Sequence, residues 1–285
     1  MIYRIGLFIL LMVNTHQLCA QKYKIYRMAD SQVVSVNDVL EIVKPGSVLV
    51  FGEQHTDSLA HVLELNIWTS LHRQFGSATV LSLEMFERDV QPIVDEYLQG
   101  LISEKNFRKE ARAWNNYEDY RTLVEYAKEH GLKVIAANTP ARYVNRVTHN
   151  GLKSLNAIGK YARKHYLPPL PIETLDGKYA ALFAEVMGGH EMSGMHLYQS
   201  QNLWDATMAW SIHQLMREEK HSVVFQVNGK FHSDFHTGLV ERLVQQYGHK
   251  VITISCIPVA DITKPDWQKL AGIADFVILT ASPTP

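Results

Sequence analysis

The sequence predicts an α/β fold: a mostly parallel sheet flanked by helices, with a small helical insertion domain. Short apolar runs alternate with segments of helical spacing, and the runs are apolar on both faces, as in parallel sheets buried between helices. The chain has 285 residues, of which 46% are hydrophobic, enough for one large α/β domain. The predicted strands cover residues 47–51, 79–83, 133–137, 222–227, 250–255 and 275–280.

The segments between these strands have the spacing of amphipathic helices. Leu59, Leu63 and Ile67 recur at helical intervals between the first two strands. Residues 120–130 indicate another helix, which Gly131 ends just before the third strand. This repeated alternation of strand and helix is typical of βαβ units, and it sets the fold class.

The interval from about 141 to 220 departs from this alternation. It contains helical stretches but no strand pattern, and a cluster of breakers at Pro168-Pro169-Leu170-Pro171 interrupts it. We predict a helical insertion at 141–220 that covers one edge of the sheet, within a single domain spanning residues 21–285.

Residues 1–20 have the organisation of a signal peptide. Arg4 supplies positive charge, and the apolar stretch from Ile5 to Val13 is too short to span a bilayer. We expect cleavage after Ala20. Cys19 offers lipidation as an alternative, but the residues before it lack the small side chains of a lipoprotein signal. We therefore expect an exported protein that is periplasmic or membrane-associated.

Charge and cysteine content argue against nucleic-acid binding and against an internal disulfide. The net charge is -1 and no run of lysines or arginines occurs, which argues against a nucleic-acid-binding protein. Removal of the leader would leave Cys256 alone, so an internal disulfide is not expected. Cys256 lies within a predicted strand, and we interpret it as a packed small hydrophobic residue rather than a nucleophile.

Polar side chains follow four of the predicted strands. Glu53 and His55 follow the first strand, Glu84 the second, Arg142 the third and His232 the fourth. The carboxyl ends of parallel strands meet at one edge, where ligands bind in open α/β sheets. Two carboxylates and two imidazoles at one edge can bind a divalent metal or carry out acid–base chemistry. The two glutamates and two histidines are therefore the candidate catalytic and metal-binding residues.

Each of these residues also has a simpler interpretation. A glutamate could only cap a helix N-terminus, and His55 could be a hydrogen-bonded loop residue. His61, one turn further on, could lie in solvent, and Arg142 could neutralise the buried acids. The shared position at strand ends favours a joint site.

Residues 187–198 form a second cluster, rich in methionine, histidine and tyrosine. These side chains can all bind haem iron, so His190, His196 and Tyr198, together with Arg142, are the candidate cofactor-binding residues. The alternative is a methionine-rich loop that packs loosely on the core.

The segment after this cluster has helical spacing and carries further polar residues. We expect Gln201, Asp205 and Met208 on its face towards the edge of the sheet.

The ordered set of motifs resembles the ChaN-like family. The similarity covers about residues 47–255, and its matching segments are Gly52–His55 with Asp57 and His61, Glu84–Phe86, Gln201, Leu203–Asp205, Gly229, His232 and Gly238. Members of this family are haem-binding or iron-regulated exported proteins. The family shares a superfamily with the Tiki metalloproteases and the erythromycin esterases.

The resemblance implies an α/β core with a small helical domain, haem as the ligand, and a role in haem and iron uptake. It also implies a homodimer, an outer-membrane uptake system as a partner, and a tyrosine in haem binding. Tyr117, Tyr143 and Tyr198 are the candidates for that tyrosine. In the last motif, Gly229 is not adjacent to His232 as the family pattern would have it, which leaves His236 as an alternative.

Two functions remain open from the sequence. The first is an exported haem-binding protein in haem and iron uptake. The second is a metal-dependent or acid–base hydrolase that uses the glutamates and histidines at the strand ends, because matching residues serve hydrolysis in the enzymatic branches of the superfamily.

Overall fold

Eight strands form one sheet in the computed structural model, which describes residues 22–188 and 194–281. The strands are β1 (Tyr23–Arg27), β2 (Gln32–Val34), β3 (Ser47–Glu53), β4 (Thr79–Glu87), β5 (Lys133–Asn138), β6 (Val223–Gly229), β7 (Lys250–Val259) and β8 (Phe276–Ala281). Their order across the sheet is β2-β1-β8-β7-β3-β6-β4-β5. Strands β3 to β8 run parallel, whereas β1 pairs antiparallel with β2 and with β8. The predicted fold class is confirmed.

Helices cover both faces of this sheet. They are α1 (Val36–Glu41), α2 (Ser58–Phe75), α3 (Gln91–Leu98), α4 (Glu104–Glu110), α5 (Tyr117–His130), α6 (Ala141–Asn150), α7 (Lys160–His165), α8 (Lys178–Val186), α9 (Leu197–Glu218), α10 (Leu239–Glu241) and α11 (Trp267–Leu270). Among the described residues, no helix is both long enough and apolar enough to cross a membrane.

Strand β3 is buried on both faces, which explains its apolar run from Val48 to Phe51. Alternate side chains of a strand point to opposite faces, so Leu49 and Phe51 join the core formed with α2, α3 and α5. Val48 and Val50 join the core on the other face, beneath α9 and α10. All seven residues of β3 are buried, so its carboxyl end is held rigidly from both sides.

Helix α2 fixes the geometry directly after β3. Asp57 is its N-cap, and its side chain accepts hydrogen bonds from the backbone N–H groups of Leu59 and Ala60. Trp68 is fully buried and stacks on Phe225 of β6, with ring centroids 6.4 Å apart. The helix therefore returns across the sheet immediately after the Gly52–His55 turn.

The described part of the 141–220 interval contains helices and no strand. Val147, Leu155, Leu167 and Leu203 form a small separate core between α6, the following turns and α9. However, α9 also lies directly on the sheet, where Met208 and Ile212 pack against the strands. The boundaries of the insertion remain a prediction, and the predicted signal peptide at 1–20 lies outside the described residues.

Candidate functional site at the carboxyl edge of the sheet

The strand order brings the predicted edge residues together. Because β6 lies between β3 and β4, the carboxyl ends of these three strands are neighbours. The pairing of β4 with β5 loses its register between Leu83 and Glu87, which frees Glu84 from the regular ladder. Glu84 Oε2 accepts a 2.7 Å hydrogen bond from the backbone N–H of Gly229. We call Glu53, His55, Glu84 and His232 the rim residues.

Glu53 and His55 form the first half of the site. Glu53 is 1% exposed, and its Oε1 lies 2.9 Å from His55 Nδ1. The Tyr120 hydroxyl donates to the same oxygen over 2.6 Å. Burial alone would raise the pKa of Glu53, but the hydrogen bonds from His55 and Tyr120 and the nearby His61 bring it below its ordinary value. The hydrogen bond to Glu53 raises the pKa of His55.

Glu84 and His232 form the second half, and Asp205 completes it. His232 Nδ1 lies 2.7 Å from Asp205 Oδ1, and His232 Nε2 lies 3.4 Å from Glu84 Oε1. Burial opposes the charged imidazole, but the two carboxylates raise the pKa of His232 to about 10. The pKa of Glu84 is lowered: burial would raise it, but the charge of His232 outweighs that effect. His232 is therefore an imidazolium near neutral pH.

Asp205 is held in place by α8 and α9. It is completely buried, and its Oδ2 accepts a hydrogen bond from the Tyr179 hydroxyl. Gln201 Nε2 lies 3.0 Å from both the Tyr179 hydroxyl and His232 Nδ1. Gln201 and Asp205 thus face the edge as expected. Met208 does not: it lies in the core beneath α9, where Gln226 Nε2 approaches its sulfur at 3.8 Å.

Glycine at position 229 allows the two halves to meet. A Cβ atom there would lie 2.8 Å from His55 Nε2 and 3.7 Å from Glu84 Oε2. The imidazole of His55 therefore approaches the β6 backbone closely, and only a residue without a side chain permits this contact. This requirement explains why the glycine lies three positions before His232. The family pattern had suggested a glycine adjacent to the histidine.

His61 is buried, and the simpler interpretation that it lies in solvent is corrected. It is 8% exposed, and its Nδ1 lies 3.2 Å from Glu53 Oε2 and 3.2 Å from Glu64 Oε2. Burial opposes its charge, but Glu64 and Glu53 raise the pKa of His61 to about 9. Burial, reinforced by the charge of Glu53, raises the pKa of Glu64 well above its ordinary value. Sequence reasoning missed Glu64 because an acid inside a helix resembles a solvated one.

An open cleft of about 510 Å³ lies above the second half of the site. Glu84 and His232 line it, with Trp114 and Trp204 among its aromatic walls. The remaining lining residues are Glu87, Asn138, Thr139, Ala141, Val144, Asn145 and Thr148. His55 stands beside this cleft, because its ring meets Trp114 edge-on at 5.3 Å between centroids. The cleft has the size of an ordinary small-molecule site.

Arg142 lies apart from the rim residues, which corrects the expectation that it would join or neutralise them. Its guanidinium pairs with Asp89 and lies over the rings of Tyr143 and Tyr166. Asp89 is the nearer acid because α6 turns away from the sheet directly after β5. His236 is also separate, with its Nδ1 3.5 Å from Thr253 Oγ1, so His232 is the histidine of the last motif.

None of the other cofactor candidates among the described residues lines this cleft. Tyr198 donates its hydroxyl hydrogen to the carbonyl oxygen of Leu175. His196 lines a different cavity of about 370 Å³. His190 lies outside the described residues. The Tyr117 ring is buried, 1% exposed, and that of Tyr143 is 9% exposed.

Three known proteins are similar to this chain in fold or in sequence. The fold is similar to that of ChaN of Campylobacter jejuni, solved with cofacially bound haem, at a TM-score of 0.67 and 16% identity over 92% of this chain and 98% of that one. A mutant erythromycin esterase, EreC in its open conformation, gives a TM-score of 0.46 and 10% identity over 92% and 83% of the two chains. RETICULATA-RELATED 5, a chloroplastic protein of Arabidopsis thaliana, is 27% identical over 113 residues, only 15% of its own length.

A sequence model of one family covers most of the chain. It is described as haem-binding uptake, Tiki superfamily, ChaN, and it matches residues 39–243. That span begins before β3 and ends after β6, so it contains the rim residues together with Asp205 and Glu64. The chain belongs to the haem-binding uptake family ChaN of the Tiki superfamily.

Proposed function

We propose that this protein is an exported haem-binding protein that takes part in haem and iron uptake. The observation that carries the proposal is the family match over residues 39–243, which spans the whole site. The similarity of the fold to a ChaN solved with bound haem supports it. Residues 1–20, with the features of a signal peptide, would direct export, and an outer-membrane uptake system would be the partner.

Haem requires an apolar surface and an iron ligand with a free lone pair. His232 does not fit, because both of its ring nitrogens face carboxylates. His55 fits better. Its Nδ1 is held by Glu53, and no described residue forms a hydrogen bond with its Nε2. A carboxylate on the far nitrogen of an imidazole makes it a stronger metal ligand.

The apolar surface would come from the cleft beside His55. Trp114 contacts the His55 ring, while Ala141, Val144 and Trp204 extend the wall. When bound, haem would bring iron chemistry to this edge. The residues of this wall would hold the haem and exclude water from one side. Tyr198, His196 and His190 remain predicted cofactor-binding residues, and a homodimer remains a prediction from the family.

A hemin titration of the chain from residue 21 onward tests this proposal. We expect a Soret band distinct from that of free hemin, at one haem per site. His55→Ala should weaken haem binding strongly, whereas Tyr198→Phe and His196→Ala test the other two predicted ligands. Gel filtration with and without hemin tests the dimer. A free-hemin spectrum throughout the wild-type titration would refute the proposal.

The second candidate function is acid–base hydrolysis, and one observation favours it. Two carboxylate–imidazole pairs meet at Gly229, His55 with Glu53 and His232 with Glu84. The first could accept a proton, whereas the second carries a positive charge. With its Nδ1 held by Glu53, His55 can take a proton at Nε2 from an attacking water. Both N–H groups of the His232 imidazolium face carboxylates, so its contribution would be its positive charge, which would stabilise the oxyanion that forms on an ester or amide carbonyl. Haem binding alone does not require this second pair.

Two variants separate the functions. His232→Gln removes the positive charge of the imidazolium, so it should abolish ester or amide hydrolysis. The His55–Glu53 pair is left intact, so the Soret band should be unchanged. His55→Ala should impair both activities. If the wild-type protein hydrolyses none of a panel of aryl esters, the hydrolase candidate is eliminated; if His232→Gln hydrolyses them at the wild-type rate, His232 has no part in the reaction.

A further inference from the structure

A second group of ligand atoms lies behind the rim, on the α2 side of Glu53. His61 Nδ1 is 3.2 Å from Glu53 Oε2 and also 3.2 Å from Glu64 Oε2. The three candidate ligand atoms lie within 4.8 Å of one another. Two ligands that bind a tetrahedral metal at about 2.0–2.1 Å stand roughly 3.3 Å apart. Both histidine–carboxylate separations therefore match the spacing of two ligands of one ion.

The backbone determines which nitrogen of His61 faces the two acids. His61 Nε2 lies 3.2 Å from the carbonyl oxygen of His55. A carbonyl can only accept, so Nε2 carries the hydrogen, and in the neutral ring Nδ1 presents its lone pair to Glu53 and Glu64. A hydrogen bond on the far nitrogen commonly orients a metal-binding histidine.

The two carboxylates are deeply buried and incompletely paired. Glu53 is 1% exposed and Glu64 is 0% exposed. Across the described ranges, no hydrogen-bond donor with acceptable geometry reaches Glu53 Oε2 or Glu64 Oε1. Glu53 Oε1, in contrast, is bound by Tyr120 and His55. Buried, unpaired carboxylate oxygens are costly, and a cation held by these two side chains would lower the cost.

We propose that Glu53, His61 and Glu64 bind one divalent transition-metal ion. Two carboxylates and one imidazole suit zinc, manganese or ferrous iron. The carboxylate of Asp119 is 42% exposed and lies 3.9 Å from His61 Nε2. This site shares only Glu53 with the rim residues. The ion would hold Glu53 Oε2 while Oε1 continues to orient His55, so the metal would support the rim from behind.

Metal binding can be measured directly on the full mature chain, purified with a tag that contains no histidine. After treatment with a chelator, the protein is dialysed against zinc or manganese, and bound metal is measured by mass spectrometry. We expect one ion per chain and a melting temperature that rises with metal concentration. Glu64→Gln keeps the shape and removes a ligand. Loss of an outer-shell partner lowers metal affinity roughly 10- to 100-fold, and Glu64→Gln should lower it by more than that.

Glu129→Gln makes the same chemical change at an exposed position of α5, so it is the matched control and should leave the affinity unchanged. Glu84→Gln tests the alternative that the rim residues bind the ion. Circular dichroism establishes that each variant folds. If Glu64→Gln does not fold, His61→Gln serves the same purpose. The proposal is overturned if wild-type protein binds no metal at micromolar concentrations, or if Glu84→Gln abolishes binding while Glu64→Gln does not. Hemin titration of the same samples shows separately whether haem binding holds, so the two failures are distinguishable.

Discussion

The backbone N–H of Gly229 donates to Glu84 Oε2 over 2.7 Å, so the end of β6 is joined to the end of β4 through a side chain. The same glycine leaves room for His55 Nε2 on the β3 side, where a Cβ atom would lie only 2.8 Å away. Position 229 is therefore the point at which both halves of the site touch.

Gly229→Ala is expected to separate His55 from Glu53. The new methyl group would overlap the imidazole, which must turn away and lose its hydrogen bond to the carboxylate. Because that hydrogen bond is the main cause of the raised pKa of His55, the pKa should fall towards its ordinary value. Proton NMR titration of the His55 ring measures this change. Gly159→Ala is the control, since a Cβ atom there meets nothing within 4 Å, and an unchanged His55 titration in Gly229→Ala would contradict the prediction.

The stability of the protein should fall as the pH rises from about 7 to about 10. The pKa of His232 is raised to about 10 and that of His61 to about 9, both above the roughly 6.5 expected in the unfolded chain. The stabilisation from these groups is complete below pH 6.5 and is lost as the pH rises through their folded pKa values. We expect a decrease in the free energy of unfolding on the order of a few kcal/mol.

Urea unfolding at a series of pH values measures this dependence. Glu84→Gln keeps an acceptor for Gly229 but removes a charge beside His232, so its stability should begin to fall at lower pH than that of wild type. Superimposable pH profiles for the two proteins would show that Glu84 does not stabilise the imidazolium.

Asp57→Ala is expected to lower the free energy of unfolding by more than the loss of an ordinary helix cap does. Asp57 caps α2, and its Oδ2 also accepts a 2.5 Å hydrogen bond from the Thr280 hydroxyl, which is completely buried. Loss of a cap costs about 1 kcal/mol, and an unpaired buried hydroxyl adds about 1–3 kcal/mol. Ser103→Ala removes only the exposed cap of α4 and provides the comparison in thermal or urea unfolding. Equal losses in the two variants would mean that Thr280 finds another partner.

Cys256 should be unreactive in the folded protein. It is 0% exposed, and burial raises the pKa of its thiol well above the ordinary value, so little thiolate is available. In the chain from residue 21 onward, an aromatic disulfide reagent should label Cys256 only as fast as the protein unfolds. Rapid labelling under native conditions would argue against its interpretation as a packed hydrophobic residue.

The sequence predicted the parallel sheet well because each of its strands is apolar on both faces. Ser47–Glu53 and Val223–Gly229 are buried along their whole length, and such runs are recognisable without a structure. The β1–β2 hairpin was missed. Its strands are short, and their charged or polar residues, such as Lys24 and Gln32, resemble a loop.

The site was predicted only where the chain itself marks a strand end. Glu53, Glu84 and His232 follow apolar runs, so their convergence follows from parallel topology. Tyr120 and Glu64 lie within helices and meet Glu53 only through tertiary packing. No local pattern distinguishes them from solvent-exposed helical residues, because their burial depends on where α2 and α5 cross the sheet.

The pairing of β1 with β8 joins two segments that are far apart along the chain. Tyr23 lies opposite Thr280 in that ladder, so the first described strand finds its place only after the last one has been made. During synthesis, the N-terminal hairpin must therefore wait, exposed, while the intervening residues emerge from the ribosome. The folding of this edge of the sheet is therefore delayed until the last described strand is available.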